Sequence, residues 1–60
     1  MRTWLPASAR QPVRDGTMVR LRFEGETEAQ AEATNWDRAD AYNWKRASRQ
    51  RPRLIAYQVR

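Results

Sequence analysis

The 60-residue sequence contains no cysteine and no histidine. The first absence excludes a disulfide framework and thiolate metal sites. The second removes the commonest neutral metal ligand and the usual general base near pH 7. Only two glycines are present, too few for a glycine-rich loop that cradles a phosphate. No apolar run approaches the ~20 residues that a membrane-spanning helix needs. The opening Met1-Arg2-Thr3-Trp4-Leu5-Pro6-Ala7 also lacks the apolar stretch of a secretory signal, so a cytoplasmic protein with no membrane role is expected. A chain this short buries only roughly 60% of the surface its unfolded form exposes. One small domain is expected, held up by packing alone or by a partner.

What the chain does have is arginine and aromatic rings. Twelve Lys and Arg against seven Asp and Glu give a net charge of +5, and eleven of the twelve cations are arginines. Such a balance favours acidic or phosphate-bearing partners, although coding bias produces the same composition. Three Trp, two Tyr and one Phe are available for the core, where each ring removes a large apolar area from water for one residue.

Residues 1–16 carry Pro6, Pro12 and the turn pair Asp15-Gly16, and read as an extended arm that Trp4 and Val13 could anchor. The body is expected over 17–60. In Thr17–Phe23 the residues Val19, Leu21 and Phe23 alternate with Arg20 and Arg22, the period of a strand with one wet face. Glu24-Gly25-Glu26 reads as a hairpin turn. Over Thr27–Thr34 two patterns compete. Thr27 and Gln30 have capping-box spacing and the composition favours helix, whereas Ala29, Ala31 and Ala33 alternate with polar residues as in a strand. A second strand is the expectation, because so short a helix without a large apolar residue has little to bury. Farther along, a short strand is expected through Tyr42–Trp44, then a polar loop ending at Pro52. The final Leu54–Val59 is rich in β-formers, with Ile55, Tyr57 and Val59 on one face. The fold class is therefore mainly β, with α+β as the variant: a small antiparallel sheet of three to four short strands with an extended N-terminal arm. Its expected core is Val19, Leu21, Phe23, Trp36, Trp44, Ile55, Tyr57 and Val59.

The segments Trp4, Pro12-Val13, Thr17–Gly25, Ala41-Tyr42-Asn43-Trp44 and Leu54-Ile55-Ala56-Tyr57-Gln58-Val59 together resemble a family of small domains from tailed bacteriophages and prophages. Members pair an early tryptophan and a Pro-Val segment with a charged strand ending in Asp-Gly, then a tryptophan strand, then a last strand ending Ile-Ile-Ala-Tyr-Arg-Val. The present chain departs from that pattern at Arg53, where Asp is usual, at Gln58 for Arg, and at Arg46 for His. The resemblance covers most of the chain, implies a phage or prophage protein in a bacterial cytoplasm, and carries no activity with it.

Candidate chemistry is sparse. Ser8 and Ser48 have no histidine or cysteine to act with, and the carboxylate sets Asp37/Asp40 and Glu24/Glu26/Glu28 would share a helix or strand face without further machinery. Neither an enzyme nor a cofactor or metal site is expected. The strongest feature is Lys45–Arg53, with five cations in nine residues and no acid, directly after Tyr42 and Trp44. Candidate partner-binding residues are Tyr42, Lys45, Arg46, Arg49, Arg51 and Arg53. The run reads first as a solvated basic loop, and second as a nucleic-acid surface on which cations neutralise phosphates and rings stack on bases. The acidic Glu24, Glu26, Glu28 and Glu32 suggest self-association or docking to a basic surface. The leading functional expectation is a protein-interaction module that modulates a host factor, ahead of a nucleic-acid-binding accessory protein and a minor virion or tail component.

Overall fold

A computed structural model describes residues 3–60, so the first two residues of the expected arm lie outside the described residues. The fold is mainly β. Its strands β1 (Leu5–Pro6), β2 (Met18–Phe23), β3 (Asp37–Arg38) and β4 (Leu54–Val59) form one antiparallel sheet in the order β1-β4-β2-β3. The sheet is centred on the two strands whose alternation is clearest in the sequence. β2 and β4 run antiparallel with Val19 opposite Val59 and Leu21 opposite Tyr57.

At the far end of that ladder Arg22 faces Ala56 but Phe23 faces Leu54, which leaves Ile55 as an extra residue. Such a bulge reverses the parity of everything beyond it. Leu54 is therefore buried, at 5% exposure, while Ile55 is exposed at 41%. This corrects the expectation that Ile55 joins Tyr57 and Val59 in the core.

The sheet buries one face against the chain between β3 and β4. Val19, Leu54 and Tyr57 pack with Trp44, Ala39 and Ala47, and Leu21, Phe23, Tyr42, Val59, Ala7 and Val13 close over them partly buried. Four rings follow one another edge to face: Phe23 to Tyr42 at 6.3 Å, Tyr42 to Trp44 at 5.3 Å, and Trp44 to Tyr57 at 5.6 Å between centroids. This geometry sets the positive edge of each ring against the negative face of the next. The buried Trp44 indole N–H donates to the Ala39 carbonyl oxygen at 2.8 Å. The expected strand through Tyr42–Trp44 is absent. Two single-turn 3-10 helices, Ala39–Ala41 and Trp44–Arg46, flank Tyr42, and the second is capped by the Asn43 side chain, which accepts the Lys45 N–H. A straight strand could not bring the Trp44 indole back to a carbonyl five residues earlier.

The expected strand over Thr27–Thr34 is also corrected. The helix α1 spans Glu28–Glu32, and Thr27 and Gln30 close a reciprocal capping box. Two bonds from that box satisfy donors that a strand would have needed a neighbour to satisfy. The turn before it, Phe23 to Glu26, has Gly25 third at φ +91 and closes from the Glu26 N–H to the Phe23 carbonyl, but it delivers the chain into α1 and not into a hairpin. On α1 the buried residue is Ala31, which lies outside the ring-lined core. The connection to β2 runs through the arginines opposite that core. Arg22 Nε donates to the Glu26 carbonyl and its guanidinium pairs with Glu28 at 3.6 Å; Arg20 Nε donates to the Thr34 carbonyl. Arg20 also lies over Trp36, 4.1 Å from the ring. Trp36 is thus half-buried beneath a guanidinium and does not belong to the core cluster in which it was expected.

The arm is more than a tether. Its Leu5 and Pro6 pair with Tyr57 and Ala56, and the Ala7 N–H donates to the Ile55 carbonyl. Farther along, the Gly16 N–H donates to the Asp40 carboxylate at 2.7 Å, pinning the arm to the core-covering segment.

Candidate functional site

Three places can be weighed as sites: the carboxylates, the basic run, and the open part of the sheet edge. The carboxylates are dispersed. Glu24 pairs with Arg53 at 3.0 Å, Glu28 with Arg22, and the Glu26 carboxylate accepts the Phe23 N–H at 2.8 Å. Asp37 lies in β3 and Asp40 in the 3-10 turn after it, so they do not share a helix face as the spacing suggested. The Gly16 N–H, with the Arg38 guanidinium at 3.0 Å, holds the Asp40 carboxyl below its ordinary 3.8. Among the described residues no group of three or more His, Cys, Asp and Glu side chains is placed to hold a metal, and no helix is long and apolar enough to cross a membrane.

The basic run is not one surface. Arg53 is tied to Glu24 through Nε and the terminal nitrogen, at 3.2 and 3.0 Å, and the Arg51 guanidinium donates to the Gln50 carbonyl. Lys45, Arg46 and Arg49 remain exposed and form no ion pair among the described residues. They follow Trp44 through one continuous winding of backbone, in which the Arg49 N–H donates to the Arg46 carbonyl. Tyr42 is partly buried between Phe23 and Trp44. Burial pushes its phenol above the ordinary 10.0, and the charge of Arg46 acts the other way. The Gln50 amide is not in hydrogen-bonding geometry, and the Tyr42 hydroxyl has no hydrogen-bond partner among the described residues.

Beside this run lies a feature that the sequence pattern does not show. The arm passes over the 42–45 segment and leaves a hollow of about 450 Å³, lined by Arg10, Gln11, Tyr42, Asn43 and Lys45 with Ala9 and Trp44. It carries a cation on each of two walls and, among the described residues, no carboxylate. The only sequence signal for it is the charge on Arg10, which lies outside the basic run and comes beside Lys45 through tertiary structure alone.

The third place is the outer edge of β2. The Arg60 N–H donates to the Met18 carbonyl across to β4, so the even-numbered residues of β2 exchange bonds with β4 and the odd-numbered ones turn toward β3. β3 pairs only with Met18 and Val19, and the Phe23 N–H is taken by Glu26. Between these points Leu21 lies on a stretch of edge with no strand beside it among the described residues. A second hollow, of about 230 Å³, opens there, lined by Val19, Leu21 and Phe23 on one side and Glu26, Thr34, Asn35 and Asp37 on the other.

Comparison with known protein families, curated proteins and solved structures finds no match to this chain.

Proposed function

We propose that the chain is a small non-enzymatic binding module of the phage or prophage type, which acts by docking an extended segment of a protein partner. The observation that carries this reading is the gap at Leu21. A central strand of the sheet has a stretch of unpaired edge, and an apolar hollow beside it can take a side chain. Added strands gain affinity from main-chain hydrogen bonds and selectivity from such side-chain pockets. The family resemblance supports the phage setting.

The test is a paired capture from bacterial host lysate with the wild-type chain and Asn35→Trp, a change at an exposed position that fills the hollow from its polar wall. The expected result is a protein retained by the wild type and lost by the variant, whose addition slows amide exchange at Leu21. Identical captured sets, or a partner that leaves the Leu21 amide unchanged, defeat the proposal.

A further inference from the structure

The hollow under the arm is a different surface with different chemistry. Everything charged that lines it is positive: Arg10 from the arm and Lys45 from the second 3-10 turn, both exposed and without an ion-pair partner among the described residues. The polar side chains it offers include a donor and an acceptor beside those cations. The Asn43 side-chain oxygen is consumed by the Lys45 backbone N–H, so what that side chain can still present is its NH2 group. The Gln11 NH2 group donates to the Val13 carbonyl and to Asp15, which fixes the wall carrying Arg10 and leaves the Gln11 amide oxygen as an acceptor. Beyond the hollow the positive charge continues. Arg46 is near enough for its charge to act on the Tyr42 hydroxyl, and Arg49, one turn on, shares its side of the backbone winding.

We propose that this hollow is a phosphate site for single-stranded nucleic acid, with one nucleotide seated between Arg10 and Lys45 and the adjoining backbone running over Arg46 and Arg49. Two observations favour a nucleotide over an acidic peptide. The hollow, about 450 Å³, has the volume of a small-ligand pocket, far more than a carboxylate side chain needs. Its lining joins donors to the apolar surface of Ala9, Tyr42 and Trp44, which suits a sugar or base attached to the anion. The cations are mostly guanidiniums, whose planar fork matches a phosphate as it does a carboxylate, so they serve the site without choosing between the two. Arg51 and Arg53 fall outside the site, because the first is turned to Gln50 and the second is held by Glu24. The site is separate from the β2 edge, so either proposal can fail without the other.

The experiment measures anisotropy of fluorescein-labelled oligo-dT, oligo-U and poly-glutamate across a salt series. The proteins are the wild type, Arg10→Ala/Lys45→Ala, and Arg14→Ala/Arg60→Ala. Both doubles lower the net charge equally, and all four residues are exposed, so folding should survive; circular dichroism checks this. The expected result is that the first double weakens oligonucleotide binding about tenfold and lowers the log–log salt slope by about 1.4, at about 0.7 per phosphate contact on a single strand. The second double stays within about twofold of the wild type, as an effect spread over net charge alone would not allow. Equal losses in the two doubles, poly-glutamate binding as tightly as the oligonucleotides, or no oligonucleotide binding by the wild type at low salt would each overturn the assignment.

Discussion

On one face of the sheet Trp44, Tyr57 and Leu54 are buried under contiguous rings, whereas on the other Arg20 and Arg22 stand between β2 and a helix of five residues. The first face draws its stability from apolar area removed from water and from ring edges set against ring faces. The second has a single buried alanine on its helix, a capping box, a guanidinium stacked on Trp36, and backbone carbonyls that accept from arginine. A helix this short does not persist alone, so it exists because the box caps its start and the arginines hold the chain on either side of it. A small chain can thus make a core on one side only and still cover the other, provided the covering elements bring their own hydrogen bonds.

The largest expected effect probes the ring-lined face at the bulge. Leu54→Ala should cost about 2–5 kcal/mol, enough to unfold much of so small a domain, while Ile55→Ala should change stability by about 0.5 kcal/mol or less. Urea titration of the two variants measures the contrast, and comparable losses would mean that the extra residue in β4 is not Ile55. On the helical face Thr27→Ala should cost about 1 kcal/mol through the lost cap. Amide exchange over Glu28–Glu32 should speed up at once; an unchanged exchange pattern would show that the arginines alone hold α1 in place.

The smallest effect concerns the joint between arm and core. Asp40 has a folded pKa below 3.8, so its contribution is present above that value and is lost as pH falls through the lower folded one. Asp40→Asn should therefore flatten part of the acid limb of a stability-versus-pH curve while leaving the alkaline limb unaltered. Identical acid limbs in wild type and variant would remove the Gly16–Asp40 bond from the account of how the arm is held.

The sequence carried the two long strands well, since Val19, Leu21 and Phe23 alternate strictly and Leu54–Val59 is dense in β-formers. It could not show the bulge, which is a property of the pairing and not of β4 by itself. Over Thr27–Thr34 the alternation of alanine suggested a strand, but alanine is too small to reward burial on a sheet face, and the local bonds of Thr27 and Gln30 prevailed. The two-residue strands at Leu5–Pro6 and Asp37–Arg38 are too short to have a period at all. Of the surfaces, Lys45, Arg46 and Arg49 were legible as charge. The separation of Arg51 and Arg53 from them required knowing where Glu24 and the Gln50 carbonyl lie, and Arg10 required knowing the path of the arm.

Trp44 has a tyrosine ring on either side, with centroids 5.3 and 5.6 Å away. At such separations light absorbed by Tyr42 or Tyr57 passes to the indole far faster than it can be emitted. The folded chain should therefore be nearly dark at tyrosine wavelengths, and the return of that emission would report the opening of the interior without any added dye.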